Sequence, residues 1–571
     1  DAIPAPAPIP TPTPRTEPDP PSEPTPSPTP VDPGLPLEPT PTPIPADPTP
    51  PSEPTPTPTP VDPGLPAEPT PPIGPPIDVP PTPSPTPSPI SDSPVGSDDL
   101  PSSEQTQEIV TASEGEGIDR RSTPTVGAAT LIEPSNAALE VSEPRRQAVE
   151  LARVRLTEEL RSAPIEEVVP RVDQFFNTEY GIYLGLKITE QEIDLQSIQS
   201  TLGETAEAIG QNAGVLYALI QDETLELILV TANSAIRKTI AIGSRAELIE
   251  TANQFITNIT SPRELNSNRY QPYAEQLYQW LIAPIEAELK AQDIDTIMFA
   301  MDRRLRGLPL AALHDGEQFL VENYSLSLIP SFSLTDTRYQ PLRDPRILAM
   351  GASTFPNSDQ QELPAVPLEL QNITDGRDDI FFLNEEFTQS NFKNQSLSQS
   401  YDIIHLATHS EFQVGNPQEN SYILFWDSQI TFKEIKDFGW ESDSTSLNML
   451  VLSACRTATG DDEAELGFAG SAVQTGVPSV LASLWYVSDV GTLGLMTEFY
   501  NQLSKAPIKV EAFRQAQISM LLGDVKVSAS KLISPSLSTA ISLSEEVTRQ
   551  PNEIFSHPYY WAGFMMVGRP W

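Results

Sequence analysis

Proline dominates the first hundred residues of this chain and limits what they can fold into. Forty of the 63 prolines lie in residues 1–100, together with a single basic residue, Arg15, and no aromatic residue occurs before Phe175. So little apolar surface cannot offset the entropy lost when a backbone becomes ordered. We therefore predict that residues 1–135 form a disordered Pro/Thr-rich stalk or linker, which leaves about 400 residues for a folded core.

A thirty-residue repeat lies within this segment. The stretch Pro21–Thr40 recurs almost unchanged as Pro51–Thr70. Its Thr-Pro alternation favours the polyproline II conformation, which makes an extended and semi-rigid spacer. The alternative function for the repeat is to serve as a ligand for proline-binding modules.

The charge and the apolar pattern of the chain argue against two classes of partner, nucleic acids and membranes. The formal net charge is −44, and no run of basic residues is present. Nucleic-acid binding requires clustered Lys and Arg to neutralise phosphates, so we predict no nucleic-acid partner. No apolar run approaches the roughly 18 residues of a membrane span, so no membrane insertion is expected. The chain starts at Asp1 rather than Met, which is consistent with the removal of an export signal. The expectation is therefore export or association with the cell envelope, and a cytoplasmic location is the alternative.

Residues 142–290 are predicted to be helices followed by a hairpin. Ser142, with Pro144 two residues later, is typical of a helix start, so order is expected to begin there. Two apolar runs, Val215–Ile220 and Leu225–Val230, flank an acidic turn and therefore predict a β-hairpin. Further helices are predicted over Val168–Tyr180 and Leu195–Gly210.

Residues 291–571 show a different pattern, in which short apolar strands alternate with helices. The predicted strands are Ile297–Met301, Ile347–Met350, Ile403–Ala407, Met449–Ser453, Val480–Leu484 and Phe564–Val567. Continuous apolar runs separated by helices are typical of a parallel sheet covered on both faces. The predicted fold class is therefore α/β with a mostly parallel sheet. Such sheets place their chemistry at the carboxyl ends of the strands.

Two of these predicted strands end in a reactive side chain. One runs into His409, and the other runs into Cys455, the only cysteine of the chain. If the two strands are neighbours, the thiol and the imidazole lie at the same edge of the sheet, as nucleophilic catalysis requires. His-then-Cys order with a spacing of about fifty residues is also found in caspases.

Structural roles are the alternative for both residues. A lone Cys at a strand end is often a small buried apolar residue, and a lone His is often hydrogen-bonded scaffold. His405 and His409 have the spacing of the two zinc ligands in some proteases, but the required Glu is missing and the segment is a strand. A single cysteine cannot build a thiolate zinc site either. We therefore predict no metal and no cofactor.

Several segments in a fixed order resemble the CHAT family, a branch of the caspase-like, clan CD cysteine peptidases related to separase. The resemblance rests on the His409 and Cys455 segments and on further blocks on either side of them. These blocks are Arg306–Gly316, Tyr324–Ser331, Gly467–Gly476, Ser479–Asp489 and His557–Phe564.

The resemblance implies a fold, an activity and site residues. Residues 291–571 would be the catalytic caspase-like half, and 142–290 a degenerate amino-terminal half. His409 would be the general base and Cys455 the nucleophile, with the backbone N–H groups of Ser410 and Cys455 holding the oxyanion. Asp489 would line a substrate pocket for a basic residue, although a carboxylate that caps a loop is the alternative.

The function implied is that of a cysteine endopeptidase acting on a protein substrate and activated by a protein partner. The alternative is a catalytically silent scaffold that recruits partners through its proline-rich region. A wall-associated structural protein is a third interpretation, which rests only on the stalk.

Overall fold

The computed structural model of the chain describes residues 136–571, except for 161, 185–192, 343, 357–359, 376–379, 399, 415, 436–437, 439, 441–446, 458–460 and 549. Of residues 136–146, 398, 417–418, 454–455, 463 and 466 only the backbone is described. The predicted stalk, residues 1–135, lies outside the described residues and stays a prediction.

Fifteen α-helices occur in the described part of the chain. They are α1 (Asn136–Leu160), α2 (Ile165–Leu184), α3 (Leu195–Ile209), α4 (Arg245–Thr260), α5 (Gln271–Leu281), α6 (Glu286–Ala291), α7 (Leu320–Asn323), α8 (Val366–Thr374), α9 (Gln389–Ser398), α10 (Pro417–Asn420), α11 (Phe432–Ile435), α12 (Asp462–Ala469), α13 (Ser471–Thr475), α14 (Asp489–Leu503) and α15 (Lys509–Leu521).

Seventeen strands are found within the same residues. They are β1 (Asn212–Ile220), β2 (Thr224–Thr231), β3 (Ala235–Ala241), β4 (Ile294–Met301), β5 (Ser325–Ile329), β6 (Ile347–Gly351), β7 (Ile380–Leu383), β8 (Ile403–Phe412), β9 (Tyr422–Leu424), β10 (Gln429–Thr431), β11 (Met449–Thr457), β12 (Ser479–Ser483), β13 (Lys526–Ser528), β14 (Lys531–Ile533), β15 (Ile541–Ser542), β16 (Asn552–Ile554) and β17 (Phe564–Gly568).

Thirteen of these strands form one mixed sheet. Its main path runs β10-β9-β8-β11-β12-β17-β5-β4-β1-β2-β3, and β6 joins β8 and carries β7 on its other side. Two parallel groups make up most of it: β7-β6-β8-β11-β12, and β17-β5-β4-β1. They meet where β12 and β17 pair antiparallel. The predicted α/β class with a mostly parallel sheet and flanking helices is therefore confirmed.

The interior strands are apolar because helices cover both of their faces. Strands β6, β8, β12 and β17 are buried at every position. A strand buried on both sides cannot alternate polar and apolar residues, so it appears in the sequence as a continuous apolar run. All six strands predicted for residues 291–571 are present, within a few residues of the expected bounds.

The amino-terminal part confirms one prediction and corrects another. Strands β1 and β2 form the predicted antiparallel hairpin, from Gly214 opposite Thr231 to Ile220 opposite Leu225. The predicted helix start at Ser142 is wrong, because α1 already begins at Asn136. Pro144 removes one backbone hydrogen bond but does not end this helix. Capping residues alone therefore do not locate a helix end.

A cluster of buried charges ties α1 and α2 to the end of β4. Both terminal nitrogens of Arg153 donate to the Asp302 carboxylate, at 2.5 and 2.7 Å. Arg306, which is 1% exposed, donates to the buried Glu179. Burial alone would raise the pKa of Asp302, but Arg153 holds it below its usual range. These ion pairs join the first two helices to the sheet.

Candidate active site

The imidazole of His409 is fixed by a backbone carbonyl. His409 lies in β8, and its side chain is 3% exposed. Its Nε2 lies 2.7 Å from the carbonyl oxygen of Gln361. Because a carbonyl can only accept, this bond places the ring proton on Nε2 and leaves the lone pair on Nδ1. That buried Nδ1 has no hydrogen-bond partner among the described residues.

Two aromatic rings enclose this imidazole. Phe355 lies with its ring centre 4.8 Å from that of His409, and Tyr486 packs edge-on at 5.4 Å. Burial lowers the pKa of His409, against opposing effects of the Gln361 carbonyl and the Glu411 carboxylate. The neutral imidazole, which can accept a proton, is therefore the favoured form near neutral pH.

Cys455 lies on the strand next to His409. Strands β8 and β11 are parallel neighbours, and Cys455 is in register with Ser410, while His409 is in register with Ala454. Adjacent strands are about 4.8 Å apart, so the two backbones are close. Had the pairing of Leu406 with Leu452 continued unbroken, His409 would lie directly opposite Cys455, but the register shifts between Leu452 and Ala454. The two residues are therefore one position out of register, and in a regular ladder such residues lie on opposite faces of the sheet. Such bulges re-aim side chains. The side chain of Cys455 lies outside the described residues.

Both strands continue beyond the two predicted catalytic residues, which the sequence did not indicate. The ladder runs on to Thr457, paired with Phe412, and Ser410 is also in register with Ile423 on its other side. A backbone N–H in such a position points toward one of the two neighbouring strands. The predicted oxyanion role of Ser410 would therefore require the ladder to open locally, and it remains a prediction.

A polar cluster lies beside His409 on the same rim. The hydroxyl of Tyr486 donates to Oε1 of Glu411 at 2.7 Å, and the amide of Gln413 donates to the other oxygen. The guanidinium of Arg456 lies 5.7 Å from the centre of the Tyr486 ring. Burial, reinforced by Glu411, raises the pKa of Tyr486. These contacts hold the Tyr486 ring against the imidazole.

Asp489 makes an internal contact in the structure. It is the first residue of α14, and its Oδ2 accepts the backbone N–H of Ala365 at 2.6 Å. Burial raises its pKa to about 7, with an opposing effect of the Ala365 N–H and a further increase from Glu369. The predicted pocket role of Asp489 stays a prediction.

The raised pKa of Asp489 makes stability depend on pH. The folded protein binds the Asp489 proton more tightly than the unfolded chain does, in which an Asp titrates at 3.8. Proton binding by Asp489 therefore stabilises the folded state at low pH, and this contribution to the free energy of unfolding is lost as pH rises toward about 7. We expect Asp489→Asn, which keeps an oxygen acceptor, to remove a slope of up to about 1.4 kcal/mol per pH unit. The measurement is the free energy of unfolding of both proteins at about pH 5 and about pH 8.

Relative to the wild type, Asp489→Asn should have a higher free energy of unfolding at the higher pH. The difference between the two proteins should be smaller at the lower pH. The exposed Asp222, changed to Asn, serves as the surface control. Equal differences at both pH values would show that Asp489 titrates normally.

His405 is a buried residue with a partner on each ring nitrogen. Its Nε2 lies 2.9 Å from Oε1 of Glu369, and its Nδ1 lies 3.0 Å from the hydroxyl of Tyr500. Among the described residues, no group of three or more His, Cys, Asp or Glu side chains is arranged to hold a metal ion. No helix in that part of the chain is both long and apolar enough to cross a bilayer.

The fold is that of an α/β protein with a mostly parallel sheet, in which a histidine and a cysteine lie on adjacent strands. Residues 271–569, more than half of the chain, match the model of the CHAT domain, and the chain belongs to this family. No curated protein sequence matches the chain.

Solved structures with detectable likeness include two protein complexes. One is separase in complex with securin from Saccharomyces cerevisiae, at 9% identity and a TM-score of 0.37, covering 75% of this chain and 38% of that one. The other is the complex of the pro- and mature domains of RgpB from Porphyromonas gingivalis, at 9% identity and a TM-score of 0.29, covering 57% of this chain and 75% of that one.

Proposed function

We propose that this protein is a cysteine endopeptidase in which Cys455 is the nucleophile and His409 the general base. One observation carries the proposal: the Gln361 carbonyl fixes the proton of His409 on Nε2, which leaves a bare, buried Nδ1 on the strand next to Cys455. A buried polar atom without a partner loses its hydration without compensation, so it calls for an explanation. Acceptance of the thiol proton supplies one.

The reaction follows from this arrangement. The Cys455 thiol gives its proton to Nδ1 of His409, and the thiolate attacks the carbonyl carbon of the scissile peptide bond. The imidazolium then returns that proton to the leaving amine, and a thioester joins the substrate to Cys455. Water, deprotonated by His409, hydrolyses the thioester and restores the thiol.

Access to the site supports regulation by a protein partner. The imidazole of His409 is almost completely buried between Phe355 and Tyr486, and the Tyr486 hydroxyl is tied to Glu411. A peptide cannot reach a group enclosed in this way unless a covering side chain moves. We infer that the described conformation is latent, and that a partner opens the rim formed by Tyr486 and Glu411.

The remaining assignments rest on the family resemblance. We propose that Asp489 helps to select a basic residue before the cut, because a partly desolvated carboxylate favours a guanidinium. We also propose that residues 142–290 are the degenerate half and 291–571 the catalytic half, although strands of both parts share one sheet.

An active-site probe tests the proposed function. A peptide carrying an acyloxymethyl ketone reacts covalently with an activated thiol, and Cys455 is the only cysteine in the chain. Because the described conformation is latent, we expect weak labelling of the purified protein and a strong increase when the partner is present. We expect labelling to be lost in Cys455→Ala and strongly reduced in His409→Ala. His557→Ala removes another mostly buried histidine, which caps the short 3-10 helix Pro558–Tyr560, and is the matched control, expected to label normally.

Labelling must also be tried with cell extract added as a source of partner, because the site is closed. Absence of labelling under both conditions, with the protein folded, would reject the peptidase and favour the silent scaffold.

A further inference from the structure

One short segment touches both His409 and Asp489. It comprises residues 361–365 and is called the bridging segment below. At its first residue, the Gln361 carbonyl accepts the Nε2 proton of His409 at 2.7 Å. At its last residue, the Ala365 N–H donates to Oδ2 of Asp489 at 2.6 Å. Two residues that are distant in sequence are thus joined by five residues of backbone.

The bridging segment is held in place along its length. Its middle residue, Leu363, donates its N–H to the carbonyl of Ser353 at 2.9 Å. Its carbonyl in turn accepts the N–H of Val366 at 3.2 Å, which closes a turn into α8. Ala365 itself is fully buried. A displacement at Ala365 is therefore transmitted along a short, hydrogen-bonded stretch of chain rather than absorbed by a loose loop.

The helices that follow the bridging segment and Asp489 pack together. Asn372 of α8 donates to Thr497 of α14 at 2.8 Å, and Glu369 of α8 contacts His405, four residues before His409 on β8. Of these contacts, the Asp489–Ala365 bond lies nearest to Gln361 along the chain. Breaking it leaves the buried Ala365 N–H without its acceptor, which costs free energy unless the segment moves.

We propose that Asp489 is a positioning residue, whose carboxylate holds Ala365 and thereby fixes the Gln361 carbonyl that orients the His409 imidazole. The inference rests on the proposed function in taking His409 as the base. It differs from the pocket role of Asp489, because it acts on every substrate and also in the absence of substrate. The second property allows a test that does not depend on catalysis.

The test is nuclear magnetic resonance of His409 in protein labelled with ¹⁵N at histidine. The chain has four histidines, so His409→Gln assigns the signal. In the wild type we expect the Nε2-protonated tautomer and a titration midpoint below the ordinary value near 6.5. In Asp489→Ala we expect a mixture of tautomers and a midpoint that falls further below 6.5, because the imidazolium loses its hydrogen bond to the Gln361 carbonyl, which opposes the effect of burial.

Two further variants separate this bond from general damage. Asp489→Asn retains an acceptor for Ala365 and should keep the wild-type tautomer. Asp194→Ala removes another carboxylate that accepts a backbone N–H at a helix start, at 2.7 Å from Ser197, and should leave the His409 signals unchanged. If Asp489→Ala does not fold, Asp489→Ser replaces it, because Ser is accepted at helix starts and its hydroxyl is too short to reach Ala365.

The proposal is overturned if His409 shows the same tautomer and midpoint in the wild type and in Asp489→Ala or Asp489→Ser. It is equally overturned if Asp489→Asn changes these signals as much as Asp489→Ala does.

A kinetic comparison is a second test, with peptides that carry Arg or a neutral residue before the cut. Positioning predicts that Asp489→Ala lowers kcat on both peptides by about 10- to 100-fold. A rise in KM confined to the Arg peptide is the result of a pocket role alone and would contradict positioning.

If the protein proves to have no peptidase activity, the proposed function is rejected. The resonance measurement still decides whether Asp489 orients His409, because it does not depend on catalysis.

Discussion

Replacing His409 with Gln is expected to lower kcat/KM by about two to four orders of magnitude, the range contributed by a general base. Gln can still donate a proton to the Gln361 carbonyl, which is the bond that His409 makes through Nε2. It cannot accept the thiol proton, because its amide nitrogen has no basic lone pair. The substitution therefore removes the base while keeping its anchor, and peptide hydrolysis with and without the activating partner measures the loss.

The pH profile sharpens this prediction. Activity requires neutral His409, so kcat/KM of the wild type rises with pH through the pKa of this residue. Because burial lowers that pKa, we expect the acid limb below about 6.5. His409→Gln should lack this limb, and His557→Gln, which changes another mostly buried imidazole, should keep it. An unchanged acid limb in His409→Gln would show that a different group is the base.

Replacing Arg306 with Met is expected to cost about 3–5 kcal/mol of unfolding free energy, the range for breaking a buried ion pair. Arg306 and its partner Glu179 are 1% and 3% exposed. Met fills a similar volume but leaves the Glu179 carboxylate buried near Asp302, with Arg153 as the nearest remaining cation, 3.7 Å from its other oxygen. Chemical denaturation of the folded part of the chain measures the change.

A surface pair provides the matched control. Arg171 lies 2.8 Å from Glu167 in the same helix as Glu179, but both side chains are more than a third exposed. Exposed pairs of this kind contribute about 0–1 kcal/mol, so Arg171→Met should be nearly neutral. If Arg306→Met costs no more than Arg171→Met, the buried cluster does not stabilise the attachment of α1 and α2 to the sheet.

Much of the fold could be predicted from the sequence because the core strands carry their own signal. The six strands predicted from residue 291 onward are buried on both faces, and the resulting apolar runs are visible without any knowledge of tertiary contacts. The hairpin of β1 and β2 was equally visible, since an acidic turn separates two such runs. Short strands such as β9 and β15 were missed, because two or three residues do not form a pattern.

The helix start at Ser142 shows the limit of local signals. A capping residue followed by proline is typical of a helix start, yet α1 passes through both residues without ending. Packing of α1 on α2 and the Arg153–Asp302 bond stabilise this helix, and neither is visible in the local sequence.

The sequence by itself determined the class of fold, the family and the choice of His409 and Cys455 as candidates. Each of these depends on residue types and on their order along the chain. Only the tertiary structure decided what surrounds the imidazole: the carbonyl of Gln361, 48 residues away, and the contact of Ala365 with Asp489, 124 residues away. The physical reason is that these contacts use backbone groups. Every residue has a carbonyl, so only the path of the folded chain selects the one that meets His409.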